Sequence, residues 1–336
     1  MSRARVPQSQ AVMQRRDLLA LLGGVLAAQN VRAQPGSPPV IGFLNSASKD
    51  GYAPYVREFH AGLRTTGYVE GQNVSVLYRW AEGQYDRLPG LAADLVSRQV
   101  RVIAATSTPA ALAAKAATTT IPIVFTTAGN PVELGLVASF GRPGGNVTGA
   151  NQITVEVAAK RLELLHELLP NAHSMAVLIN PAGPNAAAVS KDTQAVGATL
   201  GLQLHLIDAM STSEIDNAFA EAVRLNASAM VVGTDPFFNS NADLLATLML
   251  RYRLPTAYQY REFTAAGGLL SYGGSIAVAY RTAGIFTGRI LNGEKPADIP
   301  VEAAAKLELI INLKSAKSLG LSVDPLFLAR CDEIVE

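Results

Sequence analysis

At 336 residues the chain is long for one hydrophobic core, and with 49% apolar and 16% charged residues it has the composition of a packed protein rather than a stapled module or a disordered one. A lone cysteine excludes a disulfide framework or thiolate metal cluster, and a formal charge of +1 leaves no basic excess for gripping nucleic acid, so no nucleic-acid partner is expected. Five of the 28 basic but one of the 27 acidic side chains fall within residues 1–33, so the remainder is mildly acidic, at −3.

Residues 1–33 read as an export signal. Arg15-Arg16 precede the apolar run 18–28, and Val31-Arg32-Ala33 offers small residues for cleavage near Ala33. As a helix that run would cover about 16 Å, too little to span a hydrocarbon core. The Arg-Arg-x-Leu-Leu order resembles a twin-arginine signal; an ordinary secretory signal is the alternative, and Met13 is an alternative start. The expected location is the periplasm.

From residue 38 onward short apolar runs alternate with amphipathic stretches, the grammar of βαβ units and parallel sheets. The pattern predicts strand 39–45, helix 52–67, strand 73–80, helix 85–99, strand 101–106, helix 109–118 and strand 121–127. It then repeats with strand 175–180, helix 184–200, strand 202–209, helix 213–226, strand 229–234, helix 239–252 and strand 254–260. The first strand of each series ends in Asn and the last is led by Pro, which points to an internal duplication of one open-sheet lobe. The fold class is therefore α/β, with two doubly wound parallel-sheet lobes facing a shared cleft. Between the halves, the loop 141–150 with Gly144, Gly145 and Asn146 suits a bend and is the first hinge candidate; a late strand flanked by Gly273 and Gly274 is the second. A helix at 276–293, a strand at 306–313 and a partly helical tail complete the chain.

Open parallel sheets bind ligands beyond the carboxyl ends of their strands. Those ends offer Asn45, Ser46, Ser107, Thr108, Thr127 and Asn130 in the first half and Asn180, Asp235, Tyr258 and Tyr272 in the second. Ser107-Thr108 before Pro109, and Asp235 before Pro236, have the signature of helix caps; the same groups would serve a ligand carboxylate and a ligand ammonium respectively. Asn45 and Asn180 equally suit turn closure. Trp80 suits either a ligand roof or interlobe packing, and Tyr rings with a hydroxyl suit a half-wet cleft. No catalytic residues, metal site or cofactor are indicated: His60, His166, His173 and His205 have no metal-ligand spacing, and neither a nucleophile elbow nor a P-loop occurs. An exported α/β enzyme acting on a small molecule is the alternative reading.

The stretches IGFLNSAS (41–48), GYVEGQNVSVLYRWAEGQYDRLPGLAADLV (67–96), IPIVFTTAGNPVELGLV (121–137), RPGGNVTG (142–149), GEKPADIPVE (293–302) and KLELIINLKSAKSLGL (306–321) resemble the substrate-binding proteins of a largely uncharacterised ABC transporter family related to tryptophan/tyrosine-binding components. The resemblance implies a type I periplasmic binding protein fold, two lobes joined by three crossovers. Applied to this chain, one lobe would be 38–147 plus 275–297 and the other 148–274 plus 298–336. It further implies a monomeric receptor that closes on a small-molecule ligand, an amino acid among the candidates, with aromatic and branched-chain side chains both fitting. An ABC permease in the inner membrane would be its partner.

Overall fold

The computed structural model describes residues 38–336 except residue 305; the expected export signal over 1–33 lies outside the described residues. The first half runs β1 (Val40–Asn45), α1 (Lys49–Thr65), β2 (Ser75–Trp80), α2 (Leu88–Ser97), β3 (Val102–Ala105), α3 (Thr108–Ala117), β4 (Ile123–Thr127) and β5 (Val147–Asn151). The chain then crosses to α4 (Ala158–Leu168), β6 (Ser174–Ile179), α5 (Ala186–Thr199), β7 (Gln203–Asp208), α6 (Thr212–Arg224), β8 (Met230–Val232), α7 (Pro236–Asn239), α8 (Ala242–Arg251), β9 (Thr256–Tyr258), α9 (Arg261–Ala265) and β10 (Leu270–Gly273). It returns through α10 (Ile276–Leu291) and β11 (Glu302–Ala303). It finishes with β12 (Glu308–Asn312), α11 (Leu313–Ser318), α12 (Pro325–Leu328) and β13 (Glu333–Val335).

Two sheets result, ordered β11-β5-β4-β3-β1-β2 and β13-β12-β10-β9-β8-β6-β7. The first is wholly parallel, and the second is parallel except that β12 runs antiparallel to β10. The orders β2-β1-β3-β4-β5 and β7-β6-β8-β9-β10 are the same, as the duplication reading requires. Strands buried on both faces read as continuous apolar runs, as in VIGFLN and SMAVLI. In the first sheet Phe43, Ala104 and Val124 pack in one core with Tyr52, Phe59 and Tyr280 of α1 and α10, while Leu44, Ala105 and Phe125 pack in another with Ala92, Leu95 and Ala111 of α2 and α3. Among the described residues no helix is long and apolar enough to cross a membrane.

The hinge expectation needs correction at its first site. Gly144 and Gly145 both take positive φ, but their turn joins β4 to β5 within the first sheet, and Asn146 is tied by its side chain to the carbonyls of Thr118 and Ile121. The loop bends at the amino end of β5, away from any crossover. Gly149 explains why this strand reads as a flexible stretch: a Cβ there would collide with the Phe125 carbonyl and ring, so glycine serves close strand packing. The lobe boundary expected after residue 147 therefore splits β5, and the one expected after 297 leaves β11 on the wrong side, since Glu302 and Ala303 pair with Ala150 and Asn151. The chain passes between sheets at 152–157, at 274–275 and between β11 and β12. Gly273 and Gly274 do stand at a crossover, packed against the Gln259 and Gln152 carbonyls respectively.

Candidate functional site

The carboxyl ends of both sheets meet around a narrow cavity of about 20 Å³, lined from the first lobe by Tyr52, Thr106, Ser107, Thr108, Thr126, Ala128 and Ile276 and from the second by Thr234, Asp235, Pro236, Asn239 and Tyr260, with Gln152 on the first crossover. The first wall is a set of hydroxyls at a helix start. The Ser107 side chain caps α3 by accepting from Ala110 N at 3.3 Å, with Pro109 following in the first turn. Ser46 Oγ donates to Ser107 Oγ at 2.9 Å, and Thr108 Oγ1 accepts from Ala128 N at 3.2 Å. Thr126 Oγ1, though buried, has no hydrogen-bond partner among the described residues. Their hydroxyl protons and the positive end of the α3 dipole make this wall a donor surface for an anion.

The opposite wall is acidic. Asp235 caps α7, and its Oδ1 accepts from Phe237 N at 2.9 Å, from Asn180 Nδ2 at 2.9 Å and, across the cleft, from the Tyr85 hydroxyl at 2.6 Å. Its Oδ2 is buried and has no partner among the described residues. A Cβ at position 183 would collide with that oxygen, so it is glycine there that lets the carboxylate pack this close to the chain. Burial outweighs the three donors and pushes the Asp235 carboxyl up to about 6. Such a group is relieved by a cation. Behind it lies Arg161, fully buried on α4: one Nη donates to the Thr154 and Tyr272 carbonyls at 2.8 and 3.3 Å and the other to Thr234 Oγ1 at 2.9 Å. Its guanidinium thereby clips the first crossover to the end of β10 and to the cleft loop after β8.

Of the residues expected from the sequence, Ser107, Thr108 and Asp235 line this cavity. Asn180 lines a small adjoining one with Asp235 and positions its carboxylate. Asn45 supports from beneath, its amide donating to Thr106 Oγ1 at 2.8 Å and to the Tyr280 hydroxyl at 2.7 Å, and Ser46 reaches the site only through Ser107. Thr127 ends β4 outside the lining, its hydroxyl buried and unpartnered among the described residues, and Asn130 closes a surface turn by accepting from Val132 N at 3.0 Å. Tyr258 is a correction. Its ring stacks on Phe263 with centroids 4.7 Å apart and its hydroxyl donates to Leu245 O, inside the second-lobe core, because strand alternation turns it away from the cleft. Tyr272 likewise packs against that core, contributing its carbonyl to Arg161. Trp80 packs on Phe43 at 5.4 Å between centroids. The aromatic residues at the cavity are instead Tyr52 and Tyr260. Tyr260 also lies at a predicted strand end, whereas Tyr52 and Arg161 sit on helices where periodicity alone marks neither as cleft-related.

Two further bonds close the lobes on each other or on the crossover. Asn239 Nδ2 donates to the Tyr52 hydroxyl at 3.2 Å, and the Tyr260 hydroxyl donates to Gln152 Oε1 at 2.5 Å.

The chain is similar to a tyrosine-binding protein of Clostridioides difficile (strain R20291), 28% identical over 279 residues that cover 82% of this chain and 80% of that protein. Among solved structures, an ABC domain from Streptococcus pneumonia in complex with L-Trp superposes with a TM-score of 0.80 at 24% identity, covering 89% of this chain and 100% of that one. The ligand-free, open structure of a substrate binding protein with adhesive properties from Clostridium difficile gives 0.62, also at 24% identity, covering 89% and 99%. With sequence similarity spanning both sheets and the cleft between them, and matching the family described as ABC transporter substrate binding protein over residues 40–335, the chain belongs to that family.

Proposed function

We propose that the protein is a receptor for a free amino acid, aromatic side chains included, which it grips between its lobes and hands to an ABC permease in the inner membrane. The observation that carries this is the pairing of opposites across one cavity: the α3 start with the Ser107, Thr108 and Thr126 hydroxyls on one wall, and the Asp235 carboxylate with its unpartnered oxygen on the other. A zwitterion satisfies both, its carboxylate taking the hydroxyl donors and its ammonium supplying the charge that Asp235 lacks. Tyr52, Tyr260, Pro236 and Ile276 supply apolar surface that the side chain would meet once the lobes part to admit it, since the cavity as it stands holds little more than a water. The relatives named for tyrosine and solved with L-Trp support the same ligand class.

Function is then binding and closure, without turnover, carried out in the periplasm by a monomer freed of its export signal. A ligand touching both walls favours the closed arrangement because only differential contact shifts such an equilibrium. A thermal-shift and calorimetric screen of amino acids on protein beginning at Gln34 tests this. A true ligand at about 100 times its Kd adds about 2.7 kcal/mol of stability. Asp235→Ala should weaken its binding by tenfold or more, about 1.4 kcal/mol, while the protein stays folded. If no amino acid stabilises folded protein, the reading fails. Unchanged affinity in Asp235→Ala would reduce Asp235 to a helix cap.

A further inference from the structure

Tyr85 lies outside the strand-end set, yet it is the first-lobe residue that bonds the acid of the second lobe. It opens a short turn (Tyr85–Arg87) leading into α2, and the loop before it is stitched to the end of β1 by three backbone bonds: Ala81 N to Asn45 O at 3.0 Å, Glu82 N to Ala47 O at 3.2 Å and Gly83 N to Ser46 O at 2.8 Å. Glu82 takes φ of 55°, an unfavourable setting for a side chain, and so the framework imposes this path. The phenol is thus carried rigidly by the first lobe. Its hydroxyl reaches Asp235 Oδ1 at 2.6 Å, whereas the other two donors to that oxygen, Asn180 and Phe237 N, belong to the second lobe and move with it.

One carboxylate therefore has a division of labour. Oδ1 is shared between a fixed pair of donors and one donor from the opposite lobe, while Oδ2, packed against Gly183, is left without a partner among the described residues. We infer that Tyr85 is the closure latch of the receptor, a positioning residue that engages Oδ1 only when the lobes are together, so that a cation at Oδ2 and the interlobe bond at Oδ1 fix the same anion. The inference rests on Asp235 being the ammonium-binding group, and it adds how that group reports occupancy to the other lobe. A cation that orders and holds the carboxylate in its charged form strengthens the Tyr85 bond, since a hydrogen bond to a charged acceptor is stronger than one to a neutral acceptor. When the lobes part, the latch is the first bond to Asp235 that must break.

The test is Tyr85→Phe, which removes one oxygen and keeps the ring. Two readouts are needed: the closed fraction by interlobe fluorescence transfer without any added ligand, and stopped-flow dissociation of L-tryptophan and L-tyrosine. The expected result is a lower closed fraction and dissociation about tenfold faster, with association nearly unchanged, as is usual when an interface bond is lost. Tyr85→Phe placed on Asp235→Asn should have a clearly smaller effect than on the wild type, because the two groups share one bond. Unchanged closed fraction and dissociation overturn the latch, and so does an equal effect in the Asp235→Asn background. Failure of the ligand reading is separable: Asp235→Asn would then leave amino-acid affinity untouched, while the closed fraction of Tyr85→Phe still decides the latch.

Discussion

At the end of the first strand of each lobe an asparagine reaches to the loop after the third strand, Asn45 to Thr106 Oγ1 at 2.8 Å and Asn180 to Asp235 Oδ1 at 2.9 Å. In each lobe that loop ends in a capping residue whose side chain accepts from its helix, Ser107 for α3 and Asp235 for α7. The threonine just before each cap is held from the first helix after a crossover: the Tyr280 hydroxyl on α10 donates to Thr106 O at 2.6 Å, and Arg161 on α4 donates to Thr234 Oγ1 at 2.9 Å. The same corner thus appears twice, neutral in one lobe and charged in the other. Duplication supplied two facing helix starts. Exchange of a hydroxyl for a carboxylate at the cap, and of a phenol for a guanidinium behind it, gives the cleft opposite walls, which a single symmetric lobe pair would lack.

The charged corner depends most on its buried cation. Burial lowers the Arg161 guanidinium to about 10, still charged at neutral pH, and it has no carboxylate within ion-pair distance among the described residues. Its value to the fold lies in three buried acceptors, of which the Thr154 carbonyl also receives the Thr234 hydroxyl at 3.2 Å. Arg161→Met takes the guanidinium donor from the Tyr272 carbonyl and from Thr234 Oγ1 while the Thr154 carbonyl keeps the Thr234 hydroxyl, each buried group left short costing about 1–3 kcal/mol, so urea unfolding should show a loss of about 2 kcal/mol or more. Tyr280→Phe, its neutral counterpart, should lose about 1 kcal/mol. Equal losses would mean that the charged corner is only a variant of the neutral one.

How far the sequence speaks follows from the same corners. The succession of strands and helices along the chain and its duplicated rhythm were legible because parallel strands and amphipathic helices have periods that survive any change of ligand chemistry. Ser107, Thr108 and Asp235 were legible because capping chemistry marks a helix start, and helix starts in open sheets face the cleft. The helix Ala158–Leu168 was not, because its inward face includes Arg161, which periodicity counts as solvent-facing. β5 was hidden by Gly149, whose role is close packing against Phe125. Tyr258 and Tyr260 differ by two positions and so would share a face of a continued strand, but β9 stops at Tyr258 and Tyr260 stands at the turn into α9, which brings only the second ring to the cavity. Tyr85 depends on a loop path set by backbone bonds, which no side-chain pattern encodes.

A second, smaller effect concerns the acid itself. The Asp235 carboxyl is raised by burial from 3.8 to about 6, so above pH 6 the folded protein holds a charge it would rather neutralise. The unfolded chain releases that proton near pH 4, and stability from this group is present below pH 4 and lost as pH rises through 6. Asp235→Asn should therefore stabilise the protein by roughly 2 kcal/mol at pH 7 and by little at pH 4, while abolishing most amino-acid binding. A melting-temperature gain that fails to shrink on acidification would show that the carboxylate is not strained. Ser107→Ala, at the neutral corner, has no comparable pH signature to lose.

The smallest predicted change makes the neutral corner resemble the charged one. Asp caps a helix about as well as Ser, so Ser107→Asp should keep α3, with a fall in melting temperature at pH 7 of the kind argued above for a buried carboxylate. It places a carboxylate where the ligand's own carboxylate is proposed to lie, and two like charges within about 4–6 Å at a partly wet site repel by enough to cost at least tenfold in affinity, about 1.4 kcal/mol. Ser107→Asn keeps the cap without the charge and should bind L-tryptophan within a few-fold of the wild type. Tryptamine, which carries the ammonium and ring but no carboxylate, separates repulsion from crowding: Ser107→Asp should bind it no more weakly than the wild type does. If Ser107→Asp instead weakens tryptamine and tryptophan alike, the effect is steric, and the ligand carboxylate must be sought along the wall toward Thr126, whose buried hydroxyl has no partner among the described residues.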